Sequence, residues 1–144
     1  MKGQRLYSLR LATESDVEEI CSFDMIAQAD ERRRKFILRS VLAGNCFVVT
    51  DGQILGYGVL EYTFYDNGFV SMLVVQPECR RRGVGTALMK HFDSVCQTVK
   101  LFTSTNLSNL PMQSLLVKLG YKLSGVIHDL DVGDPELVYV KYLR

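Results

Sequence analysis

The spacing of apolar and polar positions changes several times along this chain, and each change predicts an element. Leu6–Leu11 reads as a short strand, and Thr13 followed by Asp16 caps a helix that carries Val17, Ile20 and Cys21 on its apolar face. A second helix is predicted over Glu31–Ala43, with Phe36, Ile37 and Val41 as its stripe, Gly44 as its stop and the run ERRRK as a solvated face. Then the period falls to two. Cys46–Thr50, Ile54–Tyr65 and Phe69–Val75 read as strands of an antiparallel meander, turned at Asp51-Gly52 and again at Asn67-Gly68. The run VSMLVV reads as buried, and Pro77 ends it because proline cannot donate to a ladder.

Helical spacing returns from Gly83 to about Gln97, where Val84, Ala87, Leu88, Phe92 and Val95 recur on one side. A strand at about Val99 to Ser104 precedes a helix over Ser108–Tyr121. That helix has Ser108 or Asn109 as its cap, Pro111 in its first turn, Met112, Leu115, Leu116 and Leu119 as its buried stripe and Gly120 as its C-terminal cap. Two more strands, Tyr121–His128 and Leu137–Leu143, follow.

Composition narrows the function classes. A chain of 144 residues, 47% hydrophobic, supports one domain over residues 1–144 with a real core. With 17 basic and 16 acidic residues there is no global field to recruit nucleic acid or a membrane, so neither is expected as a partner. Cys21, Cys46, Cys79 and Cys96 lack metal-ligand spacing and His91 and His128 lie far apart, so no metal site and no disulfide framework is expected. The absence of a long apolar run and of a signal-like start gives a cytoplasmic expectation.

One local feature carries charge and glycine together: Arg80-Arg81-Arg82-Gly83-Val84-Gly85 sits between a strand ending at Val75-Gln76-Pro77 and a helix. Gly83 and Gly85 are expected to let the backbone turn with its amides open. Free amides at a helix start, the positive end of the helix dipole and three guanidiniums make a phosphate site. No Gly-Lys-Ser/Thr ending is present, nor a third glycine for the dinucleotide fingerprint, so a nucleotide hydrolase is not indicated.

The stretch resembles the acyl-CoA loop of the GNAT superfamily of N-acetyltransferases, and SNLPMQSLLVKLGY, Ser108–Tyr121, resembles that family's second motif. The resemblance implies an α/β acyl-CoA N-acyltransferase fold, a mixed and mostly antiparallel sheet of about seven strands flanked by about four helices. It implies acetyl-CoA as cosubstrate, held by Leu73, Val74 and Val75 of the strand, by Arg80, Arg81, Arg82, Gly83, Val84, Gly85 and Thr86 of the loop, and by Asn109 and Met112. It also implies direct transfer of an acetyl group to a primary amine of a small molecule or peptide.

The sequence departs from the family in its proton-handling positions. Leu116 stands where many relatives have a tyrosine acid, and Phe69 and Ser104 stand where some have a carboxylate base. Glu61 and Tyr139 are the candidate replacements, with Tyr62 and Tyr65 as further options. Asp129, Asp131, Asp134 and Glu136 in HDLDVGDPE make an acidic turn that favours a cationic acceptor. A catalytically weak CoA-binding module for sensing is the alternative function; RNA binding is least favoured, since no aromatic platform accompanies the arginines. A homodimer is compatible with all three.

Overall fold

A computed structural model describes residues 7–144. Its sheet has seven strands in the order β1-β2-β3-β4-β5-β7-β6. These are β1 (Ser8–Leu11), β2 (Cys46–Thr50), β3 (Ile54–Phe64), β4 (Asn67–Val75), β5 (Lys100–Asn106), β6 (Lys122–Ile127) and β7 (Glu136–Tyr142). β4 and β5 run parallel, whereas β1–β2, β2–β3, β5–β7 and β6–β7 are antiparallel. The mixed sheet matches the expected fold class. The strand predicted to start at Leu6 begins at Ser8, and Leu6 lies outside the described residues. Contacts gather into two compact units: the described residues up to Leu60 with Met72–Phe92, and Glu61–Ser71 with Asp93–Arg144.

In the first unit three helices follow β1: α1 (Val17–Phe23), α2 (Met25–Ala29) and α3 (Glu31–Leu42). Thr13 and Asp16 close the predicted capping box, and Asp16 is also gripped by Arg10 through Nη1 at 2.7 Å. Hydrogen bonds from Arg10 and Thr13 outweigh partial burial and hold the Asp16 carboxyl down at about 2. The sequence pattern missed α2, a single short turn with no repeat of its own. Asp24 makes it: its Oδ1 accepts from the amides of Ile26 and Ala27 at 3.0 and 3.1 Å. Asp24 Oδ2 accepts from Tyr57 Oη at 2.5 Å and Arg33 Nη1 at 2.8 Å, all inside the unit. Burial pushes the Asp24 carboxyl up, but these donors more than offset it, and it stays below the ordinary carboxylate range. The same burial and the Asp24 charge push the Tyr57 phenol well up. Arg33 is therefore an exception to the expected solvated face of α3. The core packs Ile20, Cys21, Ile37, Val48, Tyr57 and Val59 together.

The second unit holds β5, α5 (Leu110–Lys118), β6 and β7. Asp93 accepts from Tyr121 Oη at 2.8 Å and from Lys141 Nζ at 2.5 Å, which ties β7 to the start of β6. Within α5 only Leu116 is buried; Met112, Leu115 and Leu119 are half-buried, so the expected stripe narrows to one side chain. His128, predicted to end this strand, lies just past β6 and is exposed.

The second turn of the meander also differs from expectation. Tyr65 and Asp66 take the left-handed conformation, φ 52° and 63°, and Asn67-Gly68 begin β4. Asn67 Nδ2 donates to the Tyr65 carbonyl at 3.0 Å and stabilises that turn. Gly68 is needed in the strand instead, because a Cβ there would stand 2.5 Å from Cys96 Sγ.

Candidate functional site

β4 supplies the first part of the site. Its ladder with β5 covers Gly68–Leu101, Phe69–Phe102 and Val70–Thr103, and β4 continues beyond this to Val75. Of the run expected to be buried, Val70 is the one enclosed residue; Ser71, Met72, Leu73, Val74 and Val75 are half-buried, since the parallel partner covers only the first part of the strand. Val74 packs against the core of the first unit. The strand's end is fixed by Gln76, whose amide donates to the Leu55 carbonyl at 2.8 Å and whose Nε2 donates to that of Ile54 at 2.7 Å.

Pro77–Cys79 then make one 3₁₀ turn with Cys79 buried beneath it. Arg80, Arg81, Arg82 and Gly83 follow, all exposed. Arg81 has φ 64° and Gly83 φ 80°, and the space a Cβ of Gly83 would enter is open to 4 Å. A left-handed arginine is strained by about 1 kcal/mol or more. One exposed side-chain bond braces that shape: Tyr7 Oη donates to the Arg82 carbonyl at 2.5 Å. Gly85 does not share the turn, because it is the second residue of α4 (Val84–Val95) and has no left-handed φ. The turning glycine is Gly83 alone.

α4 begins on Gly83, whose carbonyl accepts from the Ala87 amide at 2.9 Å. Gly83 has no side chain to cap with, and the first turn contains no acidic residue. The amides of Val84, Gly85 and Thr86 consequently point outward from the helix start beside three arginines, none of which makes a salt bridge to a carboxylate among the described residues. Two glycines that the sequence reading passed over let α4 lie this close. A Cβ on Gly56 would stand 2.9 Å from both the Val74 carbonyl and Val84 Cγ1, and one on Gly58 would stand 2.8 Å from the Phe92 ring. Glycines at alternate positions within a strand, LGYGVL, were the available signal. Val84, Leu88 and Phe92 are buried as predicted, but Val95 is exposed.

The remaining candidates lie in the second unit. Asn109 is the cap of α5, its Oδ1 accepting from the Met112 amide at 3.2 Å. Glu61 is half-buried on β3, and Tyr139 is buried on β7 between Thr103 and Leu123 in the register. Tyr62 is committed elsewhere, accepting from the Gln97 amide at 3.2 Å, and Tyr65 is 86% exposed at the turn. Leu116 is fully buried, and Phe69 stacks in a cluster with Phe64 at 4.9 Å, which in turn meets Phe102 at 5.0 Å. Of the three positions that the family resemblance assigned to proton transfer, Leu116 and Phe69 are thus apolar packing, and Ser104 is a half-buried residue of β5. Half of the acidic turn is also occupied: Asp131 accepts from Asn106 Nδ2 at 2.9 Å, and Asp134 accepts from the Ser108 amide at 3.0 Å and its hydroxyl at 2.6 Å. No cluster of three or more potential metal ligands occurs among the described residues, and no helix there is long and apolar enough to cross a membrane.

Residues 4–121 match the model of the Acetyltransferase (GNAT) family. A crystal structure of a GNAT-family acetyltransferase from Bacillus cereus superposes with a TM-score of 0.89 at 32% identity, over 96% of this chain and 98% of that one. An N-alpha-acetyltransferase from Sulfurisphaera tokodaii is 28% identical over 84% of this chain and 83% of its own. An N-acetyltransferase from Methanocaldococcus jannaschii is 31% identical over 54% of this chain, and the match spans about half that relative, 53% of its length. The strand, the loop with its left-handed Arg81 and Gly83, and the uncapped helix start lie inside the matched region, and the chain belongs to the GNAT acetyltransferase family.

Proposed function

We propose that the protein is an N-acetyltransferase that moves an acetyl group from acetyl-CoA to the primary amine of a peptide or small molecule. The observation that carries this reading is the uncapped start of α4, with its amides beside Arg80–Arg82. Those amides and the helix dipole suit a pyrophosphate, with the guanidiniums around it. The free stretch of β4 beyond Val70 offers backbone groups that suit an extended amide-bearing arm such as pantetheine. When bound, acetyl-CoA supplies an activated thioester. An amide of β4 near Leu73–Val75, aimed at the thioester oxygen, would stabilise developing negative charge by a few kcal/mol, about 3. The acceptor nitrogen forms the new C–N bond, the C–S bond breaks, and the amine proton leaves to water or to Glu61. Tyr139 is our candidate to protonate the thiolate.

A peptide α-amine is the favoured acceptor because a relative matched along most of its length is an N-alpha-acetyltransferase. Asp131 and Asp134 already serve the chain's own donors, so attraction for a cationic acceptor rests on the remaining carboxylates. A second reading, CoA binding with weak catalysis, is supported by the buried Leu116 and the Phe64–Phe69 cluster where proton-transfer groups would stand. Calorimetry with acetyl-CoA tests the site, and release of free CoA thiol with a panel of peptides and small amines tests transfer. Binding without acceptor-dependent thiol release selects the second reading; no binding rejects both.

A further inference from the structure

We propose that β6 is the contact strand of a homodimer, in which two copies pair edge to edge and antiparallel about a two-fold axis. β6 is one of the two edges of the sheet. Edge strands expose unpaired amides and carbonyls, and proteins that stay monomeric blunt them with short length, charge or irregularity. The opposite edge is blunted. β1 is four residues long, and its Arg10 is locked onto Asp16. β6 is longer, at six residues, and although Lys122 and a register shift between Leu123 and Gly125 interrupt it, it and the turn after it present apolar side chains: Leu123, Val126 and Ile127 are 54%, 45% and 42% exposed, and Leu130 and Val132 are 64% and 95% exposed. On an edge these side chains gain cross-strand partners only if another strand arrives.

The charges at the two ends of β6 specify which strand. At its start, Lys122 and Lys100 lie over the ring of Tyr142, at 5.2 and 5.3 Å from its centre, and neither meets a carboxylate among the described residues. Just past its end, Asp129 holds a left-handed φ of 70° and makes no ion pair among the described residues, with Asp131 two residues on. A second copy laid antiparallel brings the Lys100–Lys122–Tyr142 end of one chain against the Asp129–Asp131 end of the other. Two-fold symmetry forms that contact twice. A parallel arrangement would set lysine against lysine, so the occupant that fits is a second copy of this chain in the antiparallel sense.

The test is sedimentation equilibrium of the full chain across a concentration series, with amide exchange of β6 measured at both ends of the series. A dimer is expected, with β6 amides protected at high concentration and exchanging at low concentration. Val126→Glu, at a half-exposed position, is expected to give a folded monomer whose thermal midpoint no longer rises with protein concentration and equals that of the parent at the dilute end of the series. Lys122→Glu alone and Asp129→Lys alone should each weaken association by roughly fivefold or more, because each like-charge contact occurs twice. The double variant should recover the parent constant. A parent that stays monomeric at the highest concentration, a dimer indifferent to Val126→Glu, or a charge-swapped double variant as weak as the singles would each overturn the proposal. The surface charge variants keep it decidable if Val126→Glu does not fold.

Discussion

The two helices that follow β4 and β5 start in opposite ways. α5 begins closed: Asn109 caps it, and Asp134 clamps Ser108 just before it. α2 and α3 begin closed as well, on Asp24 and Asp30. α4 begins open, on a glycine, with no acid in its first turn and three exposed arginines before it. A helix start that satisfies its own amides is a structural joint. One that leaves them outward, at the cost of a left-handed arginine, is suited to an anion supplied from outside.

The sharpest way to break that contrast is Gly83→Val. A β-branched residue disfavours φ 80° and crowds the approach to the amides, so acetyl-CoA affinity should fall on the order of 100-fold, about 2–3 kcal/mol. A folded Gly83→Val protein that binds as tightly as the parent in calorimetry would remove the open start as the phosphate site. The next effect is on the closed start. Asn109→Ala should cost about 1 kcal/mol of stability by denaturant unfolding and leave acetyl-CoA affinity nearly unchanged. If its affinity dropped as far as that of Gly83→Val, Asn109 would be a ligand group as well as a cap, and the two junctions would not be opposites.

Arg81→Ala should weaken acetyl-CoA binding only a few-fold, about 0.5–1 kcal/mol, with the difference shrinking as salt rises. A loss larger than that of Gly83→Val would shift the weight from backbone to side chains. The smallest effect concerns the capping box at Thr13 and Asp16. Asp16 is depressed to about 2 in the fold, so its contribution is present above the ordinary carboxylate range and is lost as pH falls through about 2. Arg10→Ala should therefore lower stability slightly at neutral pH, by under about 1 kcal/mol given the exposure of Arg10, and the gap from the parent should close in acid. A gap that widened in acid would mean that another group governs this joint.

Local signals made the loop half of the candidate site legible. Pro77, the arginines, Gly83 and the apolar spacing of Val84, Leu88 and Phe92 lie within one short segment, and each acts through its own backbone or helical period. The cap at Asn109 was legible for the same reason. The second turn of the meander was not. Asn67-Gly68 has the turn chemistry, yet Gly68 is required beside Cys96, a neighbour 28 positions away in the sequence numbering, so the turn falls on Tyr65-Asp66. Gly56 and Gly58 were passed over because their value lies in the closeness of α4, which no local period encodes.

The sequence by itself determined that a strand enters an arginine-glycine loop and leaves it as a helix. Propensity, caps and hydrophobic period are properties of neighbouring residues, so they survive without the fold. Tertiary structure decided that β5 lies parallel to β4 for only three residue pairs, that Leu116 is sealed while Met112 stays half-open, and that Asp131 and Asp134 bind the chain itself. It also decided that β6, rather than β7, is left at the edge. Those outcomes depend on which distant segments bury one another's surface, and that choice is made by packing of the whole sheet rather than by any one stretch of it.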